Sequence, residues 1–408
     1  MINVDSTVHD PLLSAREAAR LLDVKLPTLY AYASRGFVAS VPSGKGKARL
    51  YPRSEVLRLR ARHDARAGHG AVAAGALRWG EPVLDTAITA IDGRGPRYRG
   101  RLAVDLARGG ATYESVADLL WTGELAGEGP WEGDEKALRR LARVLTSPAS
   151  AFDALALVVP LSAVSDPARH ATSPALEHAR ARRLIATMIG AVAMANARPV
   201  PPSGDVASRV AAAIGAKSTR ASRRLVETAL VLLADHELNA SSFAARVAAS
   251  TGADLHACVS AAVATLSGPR HGGESARVEA VVDEVKSPRG ARALVRARVE
   301  RGEEIPGFSH VLYRDGDPRA PVLLEAARAM APARVATIDA LIDEVQTIRG
   351  ARPTVDVALV AATRALGVKG QGAALFAIGR SAGWVAHALE QRAAGHLLRP
   401  RARYVGVD

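Results

Sequence analysis

Apolar residues recur at helical spacing along most of this chain, beginning close to the N-terminus. Ser14 and Glu17 form an S-x-x-E capping box ahead of the first such stretch, which predicts a short helix over residues 15–22. Pro27 suits the first turn of a second short helix, and Gly36 stands where its C-terminal cap belongs. The pattern therefore predicts two short helices about a tight turn.

The next segments have the pattern of two short strands joined by a loop. Residues 37–41 and 49–51 flank a loop rich in glycine and lysine, which predicts a two-stranded wing ahead of a helix over residues 55–62. Small residues and glycines over 63–80 predict a connector, with a boundary near Arg66. Together, these elements resemble a MerR-like winged helix-turn-helix domain, which we assign to residues 1–66.

The remainder of the chain is dominated by stretches rich in Ala, Leu and Val, which predict an all-α fold. Predicted helices include one that ends at Gly123, one from about Ser222 to Ala234, one that Asp254 caps, and one over residues 375–391. The longest apolar runs are too short to span a bilayer, and the N-terminus lacks an apolar signal core. We therefore expect a cytoplasmic protein with no membrane partner.

The positive net charge of the chain raises the question of whether it binds an anionic partner. The net charge is +13 over 408 residues, and residues 1–66 hold twelve Lys and Arg against six Asp and Glu. One hypothesis places cations and groove-reading side chains of this domain near DNA, namely Lys25, Thr28, Lys45, Lys47 and Arg49. The alternative is a small docking domain whose charges are solvated. A single cysteine, Cys258, excludes an internal disulfide framework and a cysteine-rich zinc site.

The second half of the chain contains four short blocks that carry chemistry. They read D-H-E-x-N-A-S at 235–241, G-P-x-H-G-G at 268–273, G-F-x-H with D-P-R-A at 307–320, and V-D at 355–356. Glycines on both sides of His271 leave the backbone without side chains, so a ligand can approach the imidazole closely. Asp356 follows an apolar residue at the start of a predicted helix, where we expect backbone amides to hold its ionised form. A lone histidine at a helix end is more often a structural residue, but the four blocks occur together.

The identity and order of these blocks resemble the citrate synthase family. The resemblance also includes D-T-A-I-x-x-I-D-G at 85–93 and L-L-W-x-G-E-L at 119–125, and it covers roughly Trp79 to the C-terminus. It implies a large helical domain over 67–272, a small helical domain over 273–366 and a return to the large domain over 367–408. The active site would lie between the two helical domains, and closure of the small one would exclude water.

The resemblance also implies roles for three residues in the condensation of an acyl-CoA with oxaloacetate. Asp356 would remove a proton from the acyl group, and His271 would stabilise the enol oxygen by a hydrogen bond. His310 would donate to the ketone of oxaloacetate as the carbon–carbon bond forms. Water would then hydrolyse the thioester and release CoA.

Further residues match those that bind the substrates in this family. Arg319 and Arg380 match carboxylate binders, because arginine forms fixed two-point contacts with carboxylates. His236 matches the histidine that contacts the oxo acid, and Arg314 stands where CoA phosphates are expected. Arg399 matches an arginine that reaches the neighbouring subunit's site, which implies a homodimer. No metal and no cofactor are implied, since the CoA thioester is a substrate.

Some positions depart from the family pattern. Glu274 and Ser275 follow G-P-x-H-G-G where Ala-Asn is more usual, and Ser309 precedes His310 where glycine is usual. Both changes lie beside the acyl-CoA site, so citrate synthase with acetyl-CoA and 2-methylcitrate synthase with propionyl-CoA both stay open. A third reading is a DNA-binding regulator whose synthase-like domain senses a CoA ester or oxo acid. Retention of Asp356 favours a catalyst, because a sensor has no need of the base.

Overall fold

The computed structural model describes residues 12–22, 24–34, 37–42, 49–53, 55–57, 59, 84–127, 129–146, 149–199, 203–310, 312–313 and 315–400. The chain forms two compact units, one of residues 1–85 with 399–408 and one of residues 86–398. The predicted connector over 63–80 lies entirely outside the described residues. The boundaries proposed for the large and small helical domains stay predictions.

Within the described residues, the first unit combines short helices with a small sheet. Strand β1 (Leu12–Ser14) precedes helices α1 (Ala15–Leu21) and α2 (Leu26–Ser34), and strands β2 (Val41–Pro42) and β3 (Arg49–Pro52) follow them. The three strands pair antiparallel in the order β1-β3-β2. Ser14 caps α1, and both hydrogen bonds of the predicted capping box with Glu17 are present. Leu29 and Tyr51 lie in a separate apolar core.

The predicted two-stranded wing was wrong in two respects. The first strand, predicted over residues 37–41, begins only at Val41, and the sheet has three strands. Leu13 pairs with the buried Tyr51, so β1 covers the edge of β3 that the prediction left open. The pairing joins positions nearly 40 residues apart, and a local pattern carries no signal for it. The predicted helix over 55–62 is helical at 55–57 and 59, and its other positions lie outside the described residues, as does Gly36.

The second unit begins with a small antiparallel meander and is otherwise helical. Its strands are β4 (Thr89–Asp92), β5 (Gly95–Tyr98) and β6 (Arg101–Leu102). Its α-helices within the described residues are α3 (Ala103–Gly109), α4 (Tyr113–Thr122), α5 (Glu135–Val144), α6 (Ala151–Ser165), α7 (Pro174–Ala195), α8 (Val206–Ala213), α9 (Arg220–Leu233), α10 (Ala240–Ser250), α11 (Leu255–Leu266), α12 (Glu274–Val285), α13 (Ala291–Glu300), α14 (Arg319–Met330), α15 (Pro332–Arg349), α16 (Val355–Leu366) and α17 (Gly372–Ala394).

Local capping signals fix many of these helix ends. The Asn239 carboxamide oxygen accepts from the amides of Ser241 and Ser242 at the start of α10, and Asp254 accepts from Ala257 at the start of α11. Gly123 adopts a left-handed conformation at the end of α4, as predicted. These caps matter for the site because α10 begins four residues after His236.

Helix α17 is buried over most of its length and lies against α4, α9, α10 and α11. Two glycines allow this close approach. A Cβ at Gly379 would lie 2.8 Å from the Cβ of Leu233, and one at Gly383 would lie 2.2 Å from Asp235 Oδ1. Close contact with the end of α9 places Arg380 beside the segment that carries His236. No helix in the part of the chain that the structure describes is long and apolar enough to cross a membrane.

Candidate active site

Two of the predicted histidines meet around a tyrosine. His236 is buried, and its Nε2 lies 2.7 Å from the hydroxyl oxygen of Tyr313. The ring of His310 packs against both neighbours, with ring centroids 5.6 Å from His236 and 5.1 Å from Tyr313. His236 and Tyr313 are 77 positions apart in the chain, so the fold alone brings them together.

His310 presents a defined tautomer. The backbone amide of Leu312 donates to His310 Nδ1 at 3.2 Å, which leaves the proton of a neutral ring on Nε2. Burial, together with the nearby charge of Arg319, holds the pKa of His310 below its usual range, although Asp317 opposes this. His310 is therefore a neutral ring whose Nε2–H can donate to a ligand.

His271 is held through a hydroxyl. Its Nε2 lies 2.8 Å from Ser241 Oγ, which also receives a hydrogen bond from Trp384 Nε1 at 3.0 Å. Ser241 Oγ lies 2.7 Å from Asn239 Oδ1 as well, so its single proton has two acceptors to choose between. Burial, followed by the charge of Arg380, lowers the pKa of His271 to about 4. The ring is thus neutral near pH 7.

The two predicted carboxylate binders lie in different surroundings. Arg319 is buried and forms a fork with Asp317, Nε to Oδ1 at 3.0 Å and Nη2 to Oδ2 at 2.8 Å. Arg380 is also buried, donates from Nε to the carbonyl of Leu233 at 2.8 Å and lies over the ring of Phe376. Burial lowers the pKa of Arg380 to about 10, so both arginines are charged at neutral pH.

Asp317 links this pair to the segment that carries Asp356. Its Oδ2 accepts from the amide of Val355 at 3.0 Å, in addition to the contacts with Arg319. Burial opposes ionisation, but the charge of Arg319 and the hydrogen bonds hold the pKa of Asp317 below its usual range. Asp317 is therefore a charged, fully engaged carboxylate that fixes Arg319.

Asp356, in contrast to Asp317, has few hydrogen-bond partners and a raised pKa. The sequence predicts that backbone amides at the start of α16 hold its ionised form, and this is wrong. Thr354 caps the helix instead, and its hydroxyl is the hydrogen-bond partner of Asp356 Oδ2 at 3.2 Å. Oδ1 is buried without a hydrogen-bond partner among the described residues. Burial therefore raises the pKa of Asp356 to about 6, with Glu274 and Asp317 adding to the effect and Arg319 opposing it.

These features give a site with one basic carboxylate, neutral imidazoles and fixed cations. An under-bonded carboxylate whose pKa is near 6 can accept a proton, and neutral rings can donate to developing oxyanions. Among the residues that the structure describes, no group of three or more His, Cys, Asp or Glu is arranged to hold a metal ion.

The remaining predicted residues are exposed, partly exposed or outside the described residues. Arg399 is exposed and belongs to the contact unit of the N-terminal residues. Arg314 lies outside the described residues, as do Lys45 and Lys47. Lys25 is exposed and Thr28 is partly exposed at the start of α2, whereas Arg49 is exposed and donates to Ser40.

Comparisons with known proteins identify the family. The model of the citrate synthase C-terminal domain matches residues 76–401, and a helix-turn-helix domain model matches residues 12–64. The 2-methylcitrate synthase of Mycobacterium tuberculosis is 31% identical over 335 residues, which cover 76% of this chain and 84% of that protein.

The chain belongs to the citrate synthase family. Its N-terminus carries a helix-turn-helix domain, as the sequence predicts.

Two further matches differ in the share of each protein that the alignment covers. The putative citrate synthase 2 of Mycobacterium tuberculosis is 42% identical over 191 residues, 43% of this chain and 49% of that protein, so the alignment spans about half of that relative. Citrate synthase from Thermoplasma acidophilum, solved with carboxymethyl coenzyme A and oxaloacetate, has a TM-score of 0.70 and 26% identity. That match covers 80% of this chain and 94% of the solved chain, and it confirms the fold class.

Sequence reasoning missed three residues of this citrate synthase family site. The sequence assigns no role to Tyr313, and it shows Asp317 and Ser241 only as members of the D-P-R-A and D-H-E-x-N-A-S blocks. Asp317 had a usable signal, since an acid two residues before a buried arginine can form a fork with it. The contacts of Tyr313 and Ser241 with histidines far along the chain leave no local signal.

Proposed function

We propose that this protein condenses an acyl-CoA with oxaloacetate through an enol intermediate and releases CoA. The observation that carries the proposal is the presence of a basic Asp356 and of neutral His271 and His310 rings around the same two buried arginines. Thioester α-protons are weakly acidic, so their removal needs both a positioned base and a donor to the enol oxygen. This arrangement supplies both groups without a further cofactor in the proposed chemistry.

The first step would be enolisation. Asp356 takes a proton from the carbon next to the thioester carbonyl, and His271 donates a hydrogen bond to the resulting enol oxygen. When the hydroxyl proton of Ser241 points towards His271 Nε2, the neutral ring carries its own proton on Nδ1, which can then donate. In that orientation Ser241 supports the tautomer that the step needs, whereas donation from Ser241 to Asn239 Oδ1 leaves the ring proton of His271 on Nε2.

The second step would join the two substrates. The enol carbon attacks the ketone carbon of oxaloacetate, and His310 donates its Nε2 proton to the oxygen of that ketone. Arg319 and Arg380 would hold the two carboxylates, with His236 beside the ketone. Water then cleaves the thioester, so the products are a tricarboxylic acid and CoA. Arg314 would meet the CoA phosphates.

The acyl group is a separate question. We propose acetyl-CoA, which makes the enzyme a citrate synthase, and the alternative is propionyl-CoA, which makes it a 2-methylcitrate synthase. The two substrates differ by one methylene, which changes binding by only about 1–3 kcal/mol. The relatives carry both names, since one is a 2-methylcitrate synthase and another a putative citrate synthase 2.

The test measures thiol release from acetyl-CoA and from propionyl-CoA, each with and without oxaloacetate. We expect oxaloacetate-dependent release with both compounds and a kcat/KM that is about tenfold higher for acetyl-CoA. A tenfold preference for propionyl-CoA would establish the alternative activity. Absence of release with either compound would contradict the condensation reaction itself.

We further propose a homodimer. Large apolar side chains are exposed on neighbouring helices of the second unit, namely Val144 on α5, Leu157 and Val164 on α6, and Leu176 on α7. Exposed apolar clusters of this kind are typical of protein–protein interfaces. A role of Arg399 in the neighbouring subunit's site, and a cytoplasmic location, stay predictions from the sequence.

The helix-turn-helix match supports a second proposal, that the N-terminal domain contacts DNA. Lys25 and Arg49 are exposed cations of this domain, although α2 itself contains no charged side chain. Such contacts release counterions, so binding should weaken at least tenfold between 50 and 200 mM salt. Gel retardation with random duplex DNA measures this. No retardation at low salt would favour the docking domain, and retardation without thiol release would favour the ligand-sensing regulator.

A further inference from the structure

Glu274 is the first residue of α12 and follows His271 by three positions. Its Oε1 accepts a hydrogen bond from the backbone amide of Gly307 at 2.9 Å, and its Oε2 lies 2.7 Å from Arg277 Nη1. Gly307 belongs to the loop that carries His310. One side chain thus joins the turn of His271 to the loop of His310, across 33 positions of sequence.

The same loop is tied on its other side to the segment that precedes Asp356. The carbonyl of Gly307 accepts from the amide of Thr354 at 2.8 Å, and the amide of Ser309 donates to the carbonyl of Arg352 at 3.0 Å. Gly307 is therefore held at both its N–H and its C=O. With Glu274 in place, the segments of His271, His310 and Asp356 form one hydrogen-bonded unit.

This loop has little space in which to move. Gly307 has φ of +81°, and a Cβ there would lie 2.5 Å from Val278 Cγ2 and 2.6 Å from Val357 Cγ2. Val278 belongs to α12 and Val357 to α16, so the loop is wedged between the two helices. Loss of the contact from Glu274 would leave the Gly307 amide unpaired in a confined place.

Charge distinguishes Glu274 from a neutral hydrogen-bond acceptor. Asp356 faces Arg319 of α14, Arg380 of α17, Asp317 of the preceding loop and Glu274 of α12. The two arginines favour the ionised form of Asp356, whereas Glu274 and Asp317 disfavour it. Asp317 is committed to Arg319, and Glu274 is partly balanced by Arg277. Glu274 therefore opposes the arginines and helps to keep Asp356 basic.

We infer that Glu274 is a positioning residue of the condensation reaction, which fixes the His310 loop against the helix after His271 and, through that loop, the segment that precedes Asp356. This inference rests on the proposed condensation activity. It also assigns a purpose to a position that departs from the family pattern, where a shorter, neutral residue is more usual.

The experiment compares Glu274→Gln with Glu274→Ala. An amide oxygen can still accept from Gly307, so Glu274→Gln removes the charge and keeps the contact. In the wild type, kcat/KM for the acyl-CoA should fall below about pH 6 as Asp356 becomes protonated. Removal of the negative charge lowers the pKa of Asp356. The acid limb of the pH profile of kcat/KM should therefore move to lower pH by roughly half a unit in Glu274→Gln.

Values of kcat at pH 8 separate the effect of the negative charge of Glu274 from the effect of its hydrogen bond with Gly307. A weaker base should reduce kcat of Glu274→Gln about threefold, and additional loss of the contact should reduce kcat of Glu274→Ala about tenfold. The KM for oxaloacetate should change less than twofold in both variants, because Arg319 and Arg380 are untouched. Glu304→Gln is the matched control, since Glu304 also pairs with Arg277 but lies on the surface.

An acid limb of Glu274→Gln that coincides with those of the wild type and Glu304→Gln would overturn the inference. So would a kcat of both Glu274 variants equal to that of the wild type. Wild-type protein that releases no CoA would instead contradict the proposed function, and the two failures are distinct. If Glu274→Ala does not fold, the pH profile of Glu274→Gln still decides the matter.

Discussion

Replacement of Asp356 by asparagine is expected to lower the rate of oxaloacetate-dependent CoA release by about 10³-fold. The amide has nearly the same shape as the carboxyl group, but it cannot take a proton from the thioester. The prediction rests on the Oδ1 atom, which has no hydrogen-bond partner among the described residues and can therefore act as a base. Thiol release at saturating substrates measures the loss.

The Asp356→Asn variant should be at least as stable as the wild type, although its activity falls. Burial raises the pKa of Asp356 from 3.8 to about 6, so the free energy of unfolding falls as the pH rises through this range. The full cost of the ionised form is present above about pH 6. The neutral amide removes that cost, and the melting temperature of Asp356→Asn at pH 8 should equal or exceed that of the wild type. Activity within tenfold of the wild type would show that another group is the base.

Replacement of Arg319 by lysine should lower kcat/KM for oxaloacetate by about 10²-fold or more. The guanidinium forms two bonds with Asp317 and retains further N–H groups for a substrate carboxylate. A lysine ammonium keeps the charge but cannot make both sets of contacts. The weakened buried pair should also lower the free energy of unfolding by about 1–3 kcal/mol. Oxaloacetate saturation and denaturant unfolding measure the two effects.

Arg328→Lys is the matched control for this change. Arg328 lies on the same helix, α14, and pairs with Asp339, but both side chains are partly exposed. Exposed pairs contribute little, so stability should change by less than about 0.5 kcal/mol and activity should be unaffected. If Arg319→Lys behaved like Arg328→Lys, Arg319 would not be a carboxylate binder.

Local signals in the sequence predicted much of the fold. The capping box at Ser14, the cap at Asp254 and the helix end at Gly123 are all confirmed, because a cap depends on a few neighbouring residues. The all-α class followed from the helical periodicity. The three-stranded sheet was missed because β1 pairs with a strand far along the chain.

The environment of Asp356 shows where local reasoning failed. A carboxylate at the start of a helix normally gains from the free amides, and the sequence offered no reason to expect otherwise. In the folded protein Thr354 caps the start of the helix, and packing buries the Oδ1 atom of Asp356. The desolvation that raises its pKa is a property of the packed molecule and not of the neighbouring residues.

The sequence by itself determined the family, the helical class and the identities of the chemistry-bearing residues, since those residues stand in short blocks whose order and spacing are visible in one dimension. Only the tertiary structure decided which partners they meet. His236 with Tyr313, His271 with Ser241, and Glu274 with Gly307 are joined across 30 to 77 positions. Hydrogen bonds and desolvation act over a few ångströms in space, so protonation states and donor directions are fixed by the packing of distant segments.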